Sequence, residues 1–515
     1  MADERCKELL KLFKQHSATR DGWVEAWQDC YDYALPNRTG FYLSVAGQKN
    51  TDKIFDSTAV HAVQEFASRM QAGLTPPFAK WFSFAAGTEI PKEQRSQVDR
   101  QLEEIGIYVW EVLQNSNLDQ ELHEGYVDLS VGTAGLLIEE GDEIHPVKFT
   151  SIPQTQLVLG TGPFSAIDPT WRSREMTVRN IKLTWPKAKI PAEMSRAAKD
   201  NAEKTFKIIE CVKRDWEYKQ SEKYKFYVLS LEPEAELFDA EFSGDGANPL
   251  VTYRWSKAAG ENYGRGPLFN SLADVKTLNM VVEMVLQNAE LAISGIWQGD
   301  DDGVINPDTI ELVPGTIIPR APGTTGLEPL QAPGNFDVAN LILEDMRHTL
   351  KKALFNESLG APEGTPMSAT EVHERMADLA RTIGSAYGRL HTELVTPLLR
   401  RVVYLLKKQG RISIPLVNGR EVKVVNSSPL AQAQHSENVA RVARLGEIMN
   451  GMFGPQITAL VLKAEEAGAY VGAEIGVPDK LLRNDAEREE MAQAIAQTEQ
   501  VSQAQNAAQG NILGG

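Results

Sequence analysis

The sequence contains few cysteines, only three among 515 residues: Cys6, Cys30 and Cys211. Because they show neither C-x-x-C spacing nor a framework of pairs, we expect free thiols and a reducing compartment. The chain also lacks any run of about 18 uncharged apolar residues, so no membrane-spanning helix is expected. Its opening stretch, MADERCKELLKLFK, is charged and amphipathic, which is not the pattern of a secretory signal.

Positive charge is scarce as well. The chain has 53 Lys and Arg against 70 Asp and Glu, a formal net charge of −17. This balance argues against a protein that wraps nucleic acid by neutralising phosphates, but it does not exclude a protein that lets DNA pass without gripping it. The composition is otherwise that of a globular protein, with 42% hydrophobic residues, and the length suggests roughly two to four domains.

Recognisable catalytic motifs are missing from the sequence. There is no G-x-x-x-x-G-K-[ST] phosphate-binding loop and no G-x-S-x-G elbow, and the eight histidines do not cluster at ligand spacing. His373 and Glu374 begin like the zinc-binding H-E-x-x-H helix, but Ala377 stands where the second histidine is required. We therefore predict a protein that is not an enzyme and that has no cofactor.

An acidic turn, Asp300-Asp301-Asp302-Gly303, resembles part of a calcium loop. The match fails because Gln298 and Thr309 occupy the two positions that need acidic oxygen ligands. We interpret the turn as solvated and predict no dedicated metal site, while an opportunistic divalent ion at this turn stays open.

Helical and strand patterns follow each other in blocks along the first half of the chain. Apolar residues recur with helical periodicity over residues 1–35, 56–74, 92–115 and 117–130. From about residue 143 to 255 the pattern is β-rich, with one helix at about 191–204. Within it, Tyr224, Phe226 and Val228 alternate as in a half-buried strand. The sequence therefore predicts an α+β, predominantly helical fold.

A long and poorly charged helix follows, beginning at Gly266 and Pro267, where a proline suits the first turn. About 29 residues of helical pattern give roughly 44 Å of helix. One stripe contains Leu268, Leu272, Val275, Val282, Val285, Ala289 and Ile293. Outside it lie Leu278, Met280, Val281, Leu286 and Leu291, so more than one face is apolar. The helix is predicted to be either the centre of a large bundle or a partner of identical copies in a ring.

After the long apolar helix, the chain has an irregular segment and then becomes helical again. Residues 298–334 are rich in proline and glycine and have no helical period, and residues 336–356 form an amphipathic helix. The loop NESLGAPEGTPM, from Asn356 to Met367, precedes a helix of about 40 residues with a Ser368–Glu371 capping box and a kink at Pro397.

Basic residues crowd the end of that helix. The helix dipole explains Arg400, Arg401, Lys407, Lys408 and Arg411 as well as a phosphate site would. Asn418-Gly419 then predicts a two-residue hairpin, and residues 429–484 are helical.

Several blocks of the sequence resemble the portal proteins of tailed bacteriophages, specifically the head-to-tail connectors of short-tailed, podovirus-type phages. The main block is PLVTYRWSKAAGENYGRGPLFNSLADVKTLN, which is similar to the strand, YGRG turn and start of the stem helix in that family. Further similar blocks are AVQEFASRMQAGLTPPFAKWFSF, SNLDQELHEGYVDLSVGTAGLLIEE, SATEVHERMADLARTIGSAYGRLHTELVTPLLRRVVYLL and EIGVPDKLLRNDAEREEMAQ. They occur in the family's order and together cover most of residues 20–490.

The resemblance implies a portal fold whose parts are arranged around a central channel. In this order they are a wing over residues 1–265, β-rich from about 143, a stem helix over 266–297, a clip over 298–334, a returning stem helix over 335–357, a tunnel loop over 358–367, a long kinked wing helix and hairpin over 368–427, a crown over 428–484, and an Ala/Gln-rich tail, helical or disordered, over 485–515.

The resemblance also implies partners and a location. The chain is expected to form a homo-oligomeric ring, usually of twelve copies, in the virion at one capsid vertex, after synthesis in the bacterial host cytoplasm. Expected partners are the major capsid protein, scaffolding protein, the terminase large subunit, tail adaptor or tail tube proteins, and double-stranded DNA passing without sequence specificity, with no membrane involved. The ATPase of packaging would then be a different chain, in accord with the missing phosphate-binding loop.

Two sets of residues follow as candidates for these roles. Stem contacts between subunits are expected at Val282, Val285, Leu286 and Ala289. The channel loop is expected to contain Asn356, Glu357, Ser358, Gly360, Glu363, Gly364 and Thr365. Two other classes of function stay open from the sequence: a metal-dependent enzyme of phage DNA metabolism that uses dispersed carboxylates, and a monomeric helical adaptor.

Overall fold

The computed structural model describes most of the chain in segments. These are residues 2–42, 51–86, 92–218, 221–294, 297–298, 328–329, 336–356, 383–413, 422–426, 429–463, 467–468 and 470–472. The chain divides into two compact units. Unit 1 contains Met1–Arg20, Ala67–Arg265 and Ser358–Gly515, and unit 2 contains Asp21–Phe66 and Gly266–Glu357.

The described helices and strands are as follows. The helices are α1 (Ala2–Ala34), α2 (Thr58–Leu74), α3 (Lys92–Gln114), α4 (Leu118–Leu129), α5 (Val178–Thr184), α6 (Ala192–Asp200), α7 (Pro267–Asn270), α8 (Leu272–Ser294), α9 (Phe336–Ala353), α10 (Thr396–Lys408) and α11 (Pro429–Val461). The strands are β1 (Phe82–Ala86), β2 (Thr133–Glu140), β3 (Val147–Ile152), β4 (Leu157–Thr161), β5 (Ile167–Thr177), β6 (Thr205–Arg214), β7 (Lys223–Ser230), β8 (Ala235–Ser243), β9 (Leu250–Arg254), β10 (Trp297–Gln298), β11 (Glu328–Pro329) and β12 (Val422–Asn426). These elements confirm a mixed α+β architecture.

Unit 1 is built on a five-stranded antiparallel sheet in the order β4-β5-β6-β7-β8. The first half of α1 covers one face, where it shares a hydrophobic core with the sheet. The members of this core are Cys6, Leu9, Leu10, Phe13, Val158, Trp171, Ile209, Cys211, Tyr227 and Leu229. Tyr227 and Leu229 are therefore buried as well as Phe226 and Val228. The half-buried alternation expected for β7 is wrong because this strand is covered on both faces.

A second sheet joins distant parts of the sequence. β2 lies between β3 and β9, with antiparallel pairing on both sides. Separately, β12 pairs with β1, so that Phe82 lies opposite Asn426. The predicted Asn418-Gly419 turn lies outside the described residues. Pairing with β1 was not expected, because only the local hairpin partner leaves a signal in the sequence.

A π-helical turn, His391–Val395, precedes Pro397, the position of the predicted kink, and separates residues 383–390 from α10. The Thr396 N–H donates to the His391 carbonyl, the long hydrogen bond of a π turn. Proline has no N–H to continue the ladder and its ring crowds the preceding turn, so the helix widens there. The start of the long helix, residues 368–382, lies outside the described residues.

Two glycines meet at the turn that precedes the long apolar helix. A Cβ on Gly132, whose φ is +153°, would lie 2.1 Å from the Gly264 carbonyl oxygen, and a Cβ on Gly264 would lie 2.3 Å from the Gly132 carbonyl oxygen. The Gly264 N–H donates to Thr133 Oγ1 over 2.8 Å, and the Trp255 N–H donates to the Gly132 carbonyl over 3.0 Å. The backbones can approach this closely only because both residues lack a side chain.

Buried Arg254 holds the same turn to the π turn of the long helix. Its guanidinium donates to both carboxylate oxygens of Glu393, over 2.6 and 3.1 Å, and to the Asn262 carbonyl over 3.0 Å. A bidentate pair of this kind fixes both orientation and distance. The end of β9, the turn around Asn262 and the long helix are therefore fixed to one another.

The basic cluster at the end of α10 is occupied by contacts within unit 1. Arg401 is buried and donates to the carbonyls of Ile138 and Ala247, with the Phe242 and Tyr404 rings about 5 Å from its guanidinium carbon. Burial lowers the pKa of Arg401 to about 10. Ion pairs link Arg400 to Asp245 and Lys408 to Glu140, and Arg411 donates to the Glu143 carbonyl. These four side chains thus hold the end of α10 to β2 and to the segments that contain Glu143 and Asp245.

Unit 2 groups residues 21–66 with the two long helices α8 and α9, an association that the order of the sequence does not indicate. Aromatic rings from the second half of α1 link residues 21–66 to α7 within this unit. Trp23 stacks on Trp27 and contacts Phe269, and Phe41 packs on Trp27 and Tyr31. Aromatic pairs bury large apolar areas, so this cluster stabilises the unit.

Two helical details differ from the expectation. A further helix, α5, begins where the Thr177 side chain accepts a hydrogen bond from the Asn180 N–H. Seven residues are too short for a periodic pattern to reveal. The expected continuous helix from Pro267 is broken at Ser271, which has φ −98° and ψ 10°. Asn270 and Ser271 carry short polar side chains, a type that favours turns over helix interiors. Within the described residues, no helix is both long and apolar enough to cross a membrane.

The glycine contact predicts a sharp contrast between two substitutions. Gly132→Ala should lower the free energy of unfolding by at least about 3 kcal/mol, because the new methyl group meets a backbone carbonyl and the φ angle disfavours any side chain. Gly388→Ala is the control, since its added Cβ has nothing within 4 Å, and helical alanine should raise stability by about 0.5–1 kcal/mol. Urea unfolding of both variants measures this; equal stabilities would contradict the close approach.

The docking of α1 should depend on pH through His16. Trp171 Nε1 donates to His16 Nδ1 over 3.1 Å, a bond that a protonated imidazole cannot accept. Burial lowers the pKa of His16 below its usual 6.5, against the opposing charge of Asp168. Since the folded pKa is the lower one, this stabilisation is complete above about pH 6.5 and is lost as the pH falls through the folded pKa.

We expect His16→Gln to reduce this pH dependence, because glutamine still accepts from Trp171 but does not titrate. The free energy of unfolding should fall between pH 7.5 and pH 5 by about 1 kcal/mol more in the native chain than in the variant. Urea unfolding at the two pH values measures the difference. An identical pH dependence of the two proteins would show that His16 is not the titrating group.

Candidate subunit interface and channel loop

The two long helices of unit 2, α8 and α9, pack against each other. Both helices contain buried apolar residues, namely Val275, Leu278, Val282, Leu343 and Leu350. The side chain of Asn279, in the first half of α8, forms three hydrogen bonds that fix this helix to residues 53–56. Its Oδ1 accepts from the Phe55 and Asp56 N–H groups over 2.7 and 3.2 Å, and its Nδ2 donates to the Lys53 carbonyl over 2.8 Å.

An ion pair fixes α9 to the same segment of the chain, at Asp56. Arg347 donates to Asp56 Oδ2 over 2.7 and 2.9 Å, and Asp56 Oδ1 caps α2 by accepting from the Thr58 N–H. Burial alone would raise the pKa of Asp56, but the hydrogen bonds from Thr58 and Arg347 outweigh it and lower this pKa. The Asp56 carboxylate therefore remains ionised at neutral pH, and its pair with Arg347 holds the hairpin of helices to residues 53–58.

The four predicted stem residues differ in their exposure. Val282 is only 8% exposed and lies inside the protomer. Val285 and Ala289 are half-buried, and Leu286 is 52% exposed. Val282, Val285 and Ala289 belong to the apolar stripe predicted for this helix, and the subunit's own atoms cover this stripe at Val282 but only partly at Val285 and Ala289. The structure thus separates Val282 from the other three.

Four exposed apolar residues on the same two helices were not among the sequence candidates. Met280 and Met284 are 48% and 52% exposed, and they lie on the face of α8 opposite Val282, since each is two residues away at about 100° per residue. On α9, Leu341 is 70% exposed and Ile342 is 48% exposed. The signal that could have found them was the presence of apolar residues on a second face of the helix.

Asn356, the first residue of the predicted channel loop, is buried. Its Nδ2 donates to the Ala62 carbonyl over 2.7 Å, and its N–H donates to the Lys351 carbonyl over 2.8 Å. It therefore ends α9 and belongs to the packed part of unit 2. The remaining loop candidates, Glu357, Ser358, Gly360, Glu363, Gly364 and Thr365, lie outside the described residues.

Groups that could hold a metal or react covalently are sparse in the described part of the chain. No cluster of three or more His, Cys, Asp or Glu is found there. Cys6, Cys30 and Cys211 are all buried thiols, and burial raises the pKa of Cys30 and Cys211. Asp300, Asp301 and Asp302 lie outside the described residues.

Comparison with known proteins finds relatives named as portal proteins or probable portal proteins. The chain is 24% identical over 450 residues to a probable portal protein of Bordetella phage BPP-1, covering 84% of this chain and 80% of the relative. It is 24% identical to the portal protein of Enterobacteria phage T3 and 23% identical to that of Escherichia phage T7. These two matches cover 51% and 49% of this chain, and 50% and 47% of the relatives.

Solved structures and a family model complete the comparison. A chain in the virion of a native gene transfer agent particle is 12% identical, with a TM-score of 0.37 and coverage of 84% of this chain and 96% of that chain. The family model of bacteriophage head to tail connecting proteins matches residues 6–482. That match spans nearly the whole sequence, and the chain belongs to the family of bacteriophage head to tail connecting proteins.

Proposed function

We propose that this chain is the portal of a tailed phage: identical subunits form a ring at one vertex of the capsid, and double-stranded DNA enters and leaves the head through it. The observation that carries the proposal is the family match over residues 6–482, together with three relatives named as portal proteins or probable portal proteins. The missing phosphate-binding loop supports it, because the work of packaging then falls to a separate terminase. Capsid, scaffolding and tail proteins are the other proposed partners.

The exposed residues of α8 and α9 support a ring built through the stem. Met280 and Met284 lie on one side of α8, while Leu286, with half-buried Val285 and Ala289, lies on another. Leu341 and Ile342 add apolar area on α9. A closed ring of identical subunits needs two different faces on each subunit, one for each neighbour. We propose that these two sides are the faces, and that Val282 supports them from inside the subunit.

Paired acidic substitutions on α8 test this assignment. Met284→Glu should leave the subunit folded, because the carboxylate stays in water in the isolated chain, but ring assembly should fail, since every interface would bury an unpaired charge. Val282→Glu, two residues away, should destabilise the subunit itself. Circular dichroism and light scattering separate the two effects. Normal rings from Met284→Glu would show that this side of α8 faces solvent or the channel.

The loop after Asn356 is proposed to narrow the channel. Deleting residues 360–364 should leave ring assembly unchanged, whereas packaging or retention of DNA should decrease, because this segment would no longer contact the DNA. Asn356→Ala is the contrasting variant. It removes the hydrogen bond to Ala62 and should lower the free energy of unfolding by about 1–2 kcal/mol.

Negative-stain images and a packaging assay in infected cells distinguish these outcomes. Loss of rings in the deletion variant would place the loop in a subunit interface. Normal packaging by a ring-forming deletion variant would remove the loop from the channel.

A further inference from the structure

Charge is distributed unevenly within unit 1. Residues 178–207, which contain α5 and α6, carry eight cations and three acids: Arg179, Lys182, Lys187, Lys189, Arg196, Lys199, Lys204 and Lys207 against Glu193, Asp200 and Glu203. The whole chain has a net charge of −17, so this module of net charge +5 lies in a strongly acidic remainder. We call residues 178–207 the basic module.

The cations of the basic module are exposed to solvent. All eight side chains are exposed. None of them forms an ion pair with a described residue, whereas cations elsewhere in unit 1, such as Lys408 and Lys148, do. The module therefore presents a net positive charge to solvent, and such a field attracts an acidic partner.

One face of α5 combines this charge with an apolar residue. Arg179, Lys182 and Leu183 are spaced i, i+3 and i+4, so they lie side by side, while Ile181 on the other side is buried. Leu183 is 69% exposed and follows Lys182 directly in the chain. A phosphate backbone makes no apolar contact with a leucine side chain, whereas a protein helix can supply both carboxylates and an apolar contact. This arrangement favours a protein partner.

The same chain contains a face with the opposite charge. On α3, Glu104, Ile107 and Glu111 are spaced i, i+3 and i+7, and both glutamates are exposed. Ile107 is 42% exposed between them. Neither glutamate forms an ion pair with a described residue. The two glutamates are about 10 Å apart along the helix, from seven residues at 1.5 Å each.

We propose that the α5 face of one subunit docks on the α3 face of a second copy of the chain. Leu183 then contacts Ile107, and Arg179 and Lys182 lie against Glu104 and Glu111. The two faces differ, so the contact is heterologous and can repeat around a closed ring. It rests on the proposed function, and it adds a contact between subunits that lies outside the stem.

A cross-linking experiment between two single-cysteine-addition variants tests the contact directly. A chain with Leu183→Cys is mixed with a chain with Ile107→Cys, assembled, and treated with a short bis-maleimide. The three native cysteines are buried, so the added thiols should react first. A cross-linked dimer should appear in the mixture and in neither variant alone. Leu183→Cys mixed with Ile144→Cys is the control, because Ile144 is 80% exposed but lies off the proposed face.

Charge reversal tests the electrostatic part. Arg179→Glu/Lys182→Glu should raise the protein concentration needed for half-assembly by about tenfold or more, and Glu104→Lys/Glu111→Lys should do the same, because like charges would then face each other. An equal mixture of the two variants should recover assembly, since each reversed face meets its complement on the other chain. Lys187→Glu/Lys199→Glu has the same change in net charge and should assemble as the native chain does.

The outcomes separate this contact from the ring itself. Rings without the cross-link, or a mixture that fails to recover, overturn the contact and leave the proposed function standing. A native chain that stays monomeric in light scattering contradicts both. Binding of mixed-sequence duplex DNA that is lost in Arg179→Glu/Lys182→Glu, with no cross-link between subunits, would assign the face to nucleic acid and overturn the inference.

Discussion

The close contact between Gly132 and Gly264 is the constraint on which unit 1 depends. Each glycine carbonyl occupies the space that a side chain of the other would need, so β2 and the turn before Pro267 meet backbone to backbone. Arg254 then extends the contact to the π turn through Glu393. The position of this turn against β2 is therefore set by main-chain geometry, which tolerates almost no change in residue type.

Local signals explain what the sequence predicted well. The start of α2 at Asp56 and the π turn before Pro397 each depend on the backbone of the nearest few residues, and each lies close to a position marked by a local signal in the sequence. The family resemblance was predictable for a similar reason, because it rests on contiguous blocks such as the YGRG turn, and the family match confirms it.

Properties that depend on distant residues were not predictable in this way. Nothing near Val285 in the sequence indicates that the covering of the α8 stripe becomes incomplete after Val282, since that depends on where α9 and residues 51–58 pack. The second apolar face, with Met280 and Met284, was visible as an excess of apolar residues but not as an interface. Likewise, asparagine is a residue type that is common in loops, and only the hydrogen bond from Asn356 to Ala62 shows that Asn356 belongs to the packed end of α9.

The pairing of β1 with β12 has a consequence for synthesis of the protein. The strand of Phe82 has no partner until Asn426, about 340 residues later, has been synthesised. At roughly 5–20 residues per second, translation of that interval takes on the order of 20–70 s. During this time the N-terminal strand is an open edge on the ribosome. The sheet is completed only when most of the chain has emerged, so a nascent subunit cannot present this part of its surface to a growing assembly before translation is nearly finished.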